Sequence, residues 1–158
     1  MFARALLAFL ALPGTVAFLV PLFLFRPPAG WASFRLIALL PLGVGTILLL
    51  WCIRDFYVTG KGTLAPWSPP RNLVVVGLYR WSRNPMYLAV FLILLGWAIG
   101  FGTRGLWMYA AGMLLVFHLR VVLFEEPWLA RQHGEGWLRY KAQVPRWLGR
   151  RNSGALLA

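Results

Sequence analysis

Met86 to Phe124 reads MYLAVFLILLGWAIGFGTRGLWMYAAGMLLVFHLRVVLF, a stretch whose only charges are Arg104 and Arg120. It divides into an apolar run from about Met86 to Gly102 and a second that covers about Leu106 to Leu119, passes Arg120 and continues from Val121 to Phe124. Only Thr103 to Gly105 lie between them. So short a connection predicts an antiparallel helical hairpin. Two further runs lie upstream. Leu36 to Ile53 is uncharged and ends at Arg54-Asp55, and Ala5 to Phe25 is uncharged over 21 residues. At ~1.5 Å rise per residue, that first run is long enough to cross a hydrocarbon core of about 30 Å. Met1 to Arg4 before it imitates a secretory signal, but the run exceeds the roughly 7–15 apolar residues of such a signal, so retention is expected. Pro13, Gly14 and Pro21 should kink this helix, which neighbouring helices tolerate in a bilayer.

Composition agrees with the runs. Of 158 residues, 60% are apolar and 13% charged, well below the roughly 25% charged residues of a soluble domain. The formal net charge is +12. Nucleic-acid binders display basic residues on a polar surface, whereas here they punctuate apolar runs, so an anionic membrane face is the expected partner and nucleic acid is not. In a four-span model thirteen Lys and Arg fall on one side, with the loop 54–85 and the tail 125–158; Arg26, Arg35 and Arg104 fall on the other. The excess of basic residues places both termini and the long loop in the cytoplasm. The expected architecture is an all-α integral membrane protein: one domain over residues 1–158, spans at about 5–25, 36–53, 86–102 and 106–124, and a C-terminal interfacial amphipathic helix. That last helix, over Trp128 to Leu148, comes from Trp137, Tyr140, Val144 and Trp147, near helical spacing among Arg139, Lys141 and Arg146. The first half of the loop, with Gly60, Gly62, Pro66, Pro69 and Pro70, should be irregular, and Asn152 to Ala158 look disordered.

Chemistry-bearing residues gather at the ends of the hairpin. Gly77-Leu-Tyr79-Arg-Trp-Ser-Arg83-Asn84-Pro85-Met86-Tyr87 precedes the third run. Pro85 suits a first helical turn and Asn84 is a competent cap, so a well-capped helix start explains much of it. Glu125-Glu126 is sharper, because carboxylates at the end of a helix face the negative end of its dipole. Adjacent helical residues point about 100° apart, so the two acids should serve different partners: a structural ion pair with Arg83 or Arg120, a bound cation, or one of each. His118 and His133 have no metal-ligand spacing, and His118 is expected to be a packed or hydrogen-bonded core residue. Gly96-Trp-Ala-Ile-Gly100 offers a face for close helix packing, within one chain or in an oligomer. Cys52, the single cysteine, reads as a small apolar residue. Phosphate-binding, dinucleotide and hydrolase motifs are absent.

Taken in order, Gly77-Leu-Tyr79, Arg83-Asn-Pro85-Met-Tyr87, the apolar hairpin, Glu125-Glu126, His133-Gly-Glu-Gly-Trp137-Leu-Arg-Tyr140 and Val144-Pro-Arg146 resemble one family. It is the isoprenylcysteine carboxyl methyltransferase family, which groups with the phospholipid N-methyltransferases of membranes. The resemblance covers residues 72–147 and implies a membrane enzyme using S-adenosylmethionine on a lipophilic acceptor. By position it implies a cofactor pocket lined by Asn72, Leu73, Val74, Val75, Tyr79, Asn84, Pro85, Met86, Tyr87, Glu125 and Glu126. Asn84 stands where the family has histidine. The family's substrate arginine falls on Val121, with Arg120 beside it as the candidate for substrate binding.

The chemistry suits these residues. Glu125 or Glu126 would take the cofactor's ammonium and Arg83 would steady a carboxylate. Tyr79, Tyr87, Tyr140 and the valines would supply an adenine slot. Arg83 and Glu126 are the expected catalytic pair, with Glu126, Glu135 or His133 accepting a proton if the methyl acceptor is an amine; a carboxylate acceptor needs none. The competing readings are a non-enzymatic four-helix membrane anchor or assembly protein, and a sterol reductase, for which no phosphate-binding signal is present.

Overall fold

The computed structural model describes residues 10–24, 34–60 and 72–149. Residues 1–9, 25–33, the turn-rich segment 61–71 and the end from Arg150 lie outside the described residues, and so do the parts of the first span, the long loop and the tail that fall there. Every regular element among the described residues is helical.

Helix α1 comprises Leu10–Leu19, with wide π-type turns, and Val20–Leu24. Its prolines explain its partners. Pro21 has no N–H to reach the Ala17 carbonyl in α spacing or the Val16 carbonyl in π spacing. Those two carbonyls instead accept the indole N–H of Trp97 at 2.9 Å and the hydroxyl of Tyr109 at 3.1 Å. The expected proline irregularity is thus where α1 is fastened to the hairpin.

Helix α2, Leu39–Val58, follows a 3-10 turn at Leu36–Ala38. It runs past the expected stop at Arg54-Asp55, because Asp55 turns inward and is buried while Arg54 remains exposed. Helices α3, Pro85–Phe101, and α4, Arg104–Arg120, form the hairpin. Gly102 closes α3 in the left-handed region at φ 67, and the Thr103 carbonyl starts α4 by accepting from the Leu106 and Trp107 amides. Leu49, Ala89, Ile93, Leu94, Ala98, Leu106 and Ala110 form the core between α2, α3 and α4.

The glycine face of α3 is filled within the chain. A Cβ on Gly96 would come within 2.6 Å of Leu42, and one on Gly100 within 2.2 Å of the Phe34 ring. Outward-facing Leu40, Ile47, Leu50, Met108, Leu115 and Phe124 are largely exposed among the described residues. Leu36–Val58 and Arg104–His133 are each long and apolar enough to cross a membrane, with 22% of the most apolar window of each buried inside the protein. Helix α3 is shorter, about 25 Å for its 17 residues. Length and composition therefore support two of the four expected spans.

The largest departure lies at the acidic pair. The fourth run does not stop there: α4 passes through a π-type turn, Val121–Glu125, into α5, Glu126–His133. Pro127, in the first turn of α5, cannot donate to the preceding turn, and a wide turn accommodates that lost bond. Glu126 consequently lies inside a helix continuous from Arg104 to His133 rather than at its end, so the expected dipole penalty does not arise. The single tail helix expected over Trp128 to Leu148 is also divided, by Gly134 at φ 49, into α5 and α6, Glu135–Gln143. Its apolar face does not lie outward: Trp137, Tyr140 and Val144 are buried together with Leu73 and Leu129.

Candidate active site

Two arginine–glutamate clusters form where the start of α3 meets the π turn. In the inner one, Arg83 donates from Nη1 to Glu126 Oε1 at 2.8 Å, and Arg146 donates from Nε to Oε1 at 2.7 Å and from Nη2 to Oε2 at 2.9 Å. Both oxygens of Glu126 are occupied. The Arg83 and Glu126 side chains are 8% and 10% exposed. Arg83 also donates from Nε to the Val144 carbonyl at 3.0 Å, and its guanidinium lies 5.4 Å from the Trp137 ring. Burial pulls the Arg83 guanidinium below its ordinary value, and Glu126 opposes that shift; Arg146 is raised, first by its hydrogen bond to Glu126.

This cluster straps residues 144–147 across the α3 start. The Arg83 amide donates to the Pro145 carbonyl at 2.9 Å, and the Ser82 hydroxyl and Asn84 side-chain amide both donate to the Arg146 carbonyl, at 3.3 and 3.0 Å. Asn84 therefore does not cap α3 as expected. It stands at the cap position, but its side chain makes no cap bond and holds the strap instead. Pro85 occupies the first turn of α3.

In the outer cluster Tyr87 donates its hydroxyl to Glu125 Oε1. Arg120 Nε reaches the same oxygen at 2.9 Å and the Tyr87 hydroxyl oxygen at 3.1 Å. Glu125 Oε2 has no partner among the described residues, and the side chain is 32% exposed. Tyr87 packs against Phe117 at 4.7 Å and meets Trp147 at 6.5 Å. The acidic doublet and the Asn-Pro-Met-Tyr corner converge, and the two carboxylates take different partners.

The remaining expected pocket residues are placed behind these clusters. Asn72 is tied to the end of α2 through the Gly60 and Thr59 carbonyls, each at 3.4 Å, and Val75 is exposed. Val74 and Tyr79 are buried with Cys52, with Met86 packed against them, and Leu73 joins the Trp137 cluster. Tyr140 donates its hydroxyl to the Tyr79 carbonyl at 2.7 Å. Burial raises both phenols above their ordinary range. The Asp55 Oδ2 and the Tyr79 hydroxyl are buried without hydrogen-bond partners among the described residues.

An apolar groove of about 890 Å³ opens beside the outer cluster, between Leu88, Phe91, Leu92 and Leu95 of α3 and Leu114 and Leu115 of α4. Neither glutamate lines it. Ser82, Pro85, His118 and Trp147 close one end. His118 is thus not a core residue: it is exposed, and its Nδ1 accepts from the Trp147 indole N–H at 3.2 Å. Trp147 touches both the groove and Tyr87.

A family model described as phospholipid methyltransferase matches residues 34–136. The chain belongs to that family. The matched segment includes α2, the hairpin and both glutamates, while Arg146 and Trp147 lie beyond it. An uncharacterized protein of Haemophilus influenzae is 36% identical over 63 residues, which is 40% of this chain and 100% of that protein. No solved structure matches the chain significantly. Arg146 and Trp147, absent from the expected site residues, contact the inner cluster and the groove respectively in this phospholipid methyltransferase family member. The signal for Arg146 was the local imbalance of charge, two glutamates facing Arg83, Arg120 and a third arginine in a Val-Pro-Arg tail motif; Trp147 had no such signal.

Proposed function

We propose that the protein is a single-domain, multi-pass membrane methyltransferase that uses S-adenosylmethionine on a lipophilic acceptor, with its site and both termini on the cytoplasmic side. The observation that carries this reading is the junction at Trp147, where a polar Tyr87–Glu125–Arg120 cluster adjoins a long apolar groove. When bound, S-adenosylmethionine supplies an electrophilic methyl group.

The residues present fit such a cofactor. The open Oε2 of Glu125 is an acceptor for its ammonium, the partly exposed Arg120 a donor for its carboxylate, and Tyr87, Phe117 and Trp147 are surfaces for its adenine. Asn84, Pro85 and Met86 set the start of the helix that presents Tyr87. Arg83 and Glu126 are positioning residues in this reading, because their hydrogen-bonding groups are spent on one another and on the strap. Asn72, Leu73, Val74, Val75, Tyr79 and Tyr140 form the supporting wall. The groove admits the acceptor's chain from the bilayer, and displacement of water from it leaves the acceptor's head in contact with the polar end.

Binding of tritium-labelled S-adenosylmethionine to the detergent-solubilised protein tests the reading. Saturable binding in the wild type, reduced at least about tenfold by Glu125→Gln, supports it. No binding by the wild type, as expected of a non-enzymatic anchor, would overturn it.

A further inference from the structure

The polar end of the groove is chemically one-sided. His118 is exposed there, and its Nδ1 accepts from the indole of Trp147. An indole nitrogen only donates, so Nδ1 carries the lone pair and the neutral imidazole keeps its proton on Nε2. No group among the described residues bonds to Nε2. The Ser82 hydroxyl is already engaged, with the Arg146 carbonyl and the Asn84 amide. What the groove has left to offer a head group is N–H donors: the Nε2–H of His118 and the exposed indole N–H of Trp81.

The surrounding charge points the same way. Arg83, Arg120 and Arg146 face Glu125 and Glu126, which leaves one cation in excess, and exposed Arg80 has no acidic partner among the described residues. A long-chain ammonium would meet surplus positive charge, a histidine whose lone pair is taken and no carboxylate along the groove. A long-chain oxyanion would meet a donor in a favourable field. The groove runs from Pro85 to Leu95 along α3, about 15 Å, so the ligand has an extended chain as well as a head.

The geometry points to this groove as a site for a long-chain amphiphile with an oxyanion head, a carboxylate or a phosphate, whose oxygen accepts from His118 Nε2–H. Trp147 sets the tautomer and the ring orientation. The inference deepens the proposed function, since it rests on the groove being the acceptor's site, and makes His118 a specificity-determining residue.

The chain has two histidines, so nitrogen-15 labelling of histidine in the full-length, detergent-solubilised protein yields two imidazoles, which a His133→Gln variant assigns. Hexadecanoate, hexadecyl phosphate and hexadecylamine are titrated at constant detergent. The expected result is a saturable movement of the His118 Nε2 resonance with an anion, and none with hexadecylamine at about tenfold higher concentration. Response to hexadecanoate alone assigns a carboxylate head; response to hexadecyl phosphate alone assigns a phosphate, and response to both assigns the shared oxyanion. His118→Phe keeps a ring in place without a donor and is expected to weaken binding of the radiolabelled anion about tenfold. No movement with either anion, or equal movement with hexadecylamine, overturns the inference. S-adenosylmethionine binding in the same preparation separates the two readings. Intact cofactor binding without the His118 response removes this inference alone, and a His118 response without cofactor binding supports the amphiphile site while removing the methyltransferase reading.

Discussion

Glu126 accepts hydrogen bonds from two arginines at once in a nearly dry setting, and the strap over the start of α3 hangs on that arrangement. Removing its charge leaves Arg83 buried without a counter-ion. Glu126→Gln should therefore destabilise the protein by about 3 kcal/mol, read as a lower unfolding midpoint in micelles; an unchanged midpoint would show that the strap does not depend on the pair. Two buried tyrosines make opposite predictions. The Tyr140 hydroxyl is hydrogen-bonded to the Tyr79 carbonyl, whereas the Tyr79 hydroxyl has no partner among the described residues. Tyr140→Phe should cost about 1 kcal/mol, and Tyr79→Phe should be neutral or stabilising. Burial raises both phenols, so their neutral forms are the ones the fold accommodates. Stability should hold below the ordinary phenol value of about 10 and fall as pH rises above it, because the unfolded chain ionises there first. In Tyr140→Phe the alkaline fall should be shallower, measured by unfolding at stepped pH.

At the scale of the element, proline and glycine act by what they lack. Pro21 frees the two carbonyls of α1 that bind Trp97 and Tyr109, and Pro127 accompanies the π turn that aims Glu125 and Glu126 at different arginines. The expectation that one acid would meet Arg83 or Arg120 was legible from helical geometry alone; that both would do so required the wide turn. Glycines on α3 and α4 are not equivalent. A Cβ at Gly100 would meet the Phe34 ring at 2.2 Å, while one at Gly112 would meet nothing within 4 Å. Gly100→Ala should lower the unfolding midpoint by several degrees through overpacking, at about 1–3 kcal/mol. Gly112→Ala should leave it unchanged or raise it slightly, since alanine favours a helix. Equal effects of the two would mean that Phe34 does not pack on α3 as described.

For the whole molecule, exposed apolar faces on α2 and α4 suit lipid around them, and the proposed topology puts the basic excess on the cytoplasmic side. Membranes washed with alkaline carbonate should retain the protein. In a Cys52→Ala background, Gly136→Cys should react with an impermeant thiol reagent from the cytoplasmic side and Arg104→Cys from the opposite side. Labelling of both from one side would refute the proposed topology. The sequence alone determined the helical class, the hairpin, the preference for a membrane and the family, because run length, a three-residue break and motif order are one-dimensional quantities. Tertiary structure alone decided that α2 carries Asp55 inward, that the tail breaks at Gly134 and packs its aromatics inside, and that Arg146 and Trp147 belong to the site. The placement of Arg146 and Trp147 depends on groups that reach one another across 29 to 64 residues of chain, and periodicity within a segment carries no information about such distant partners.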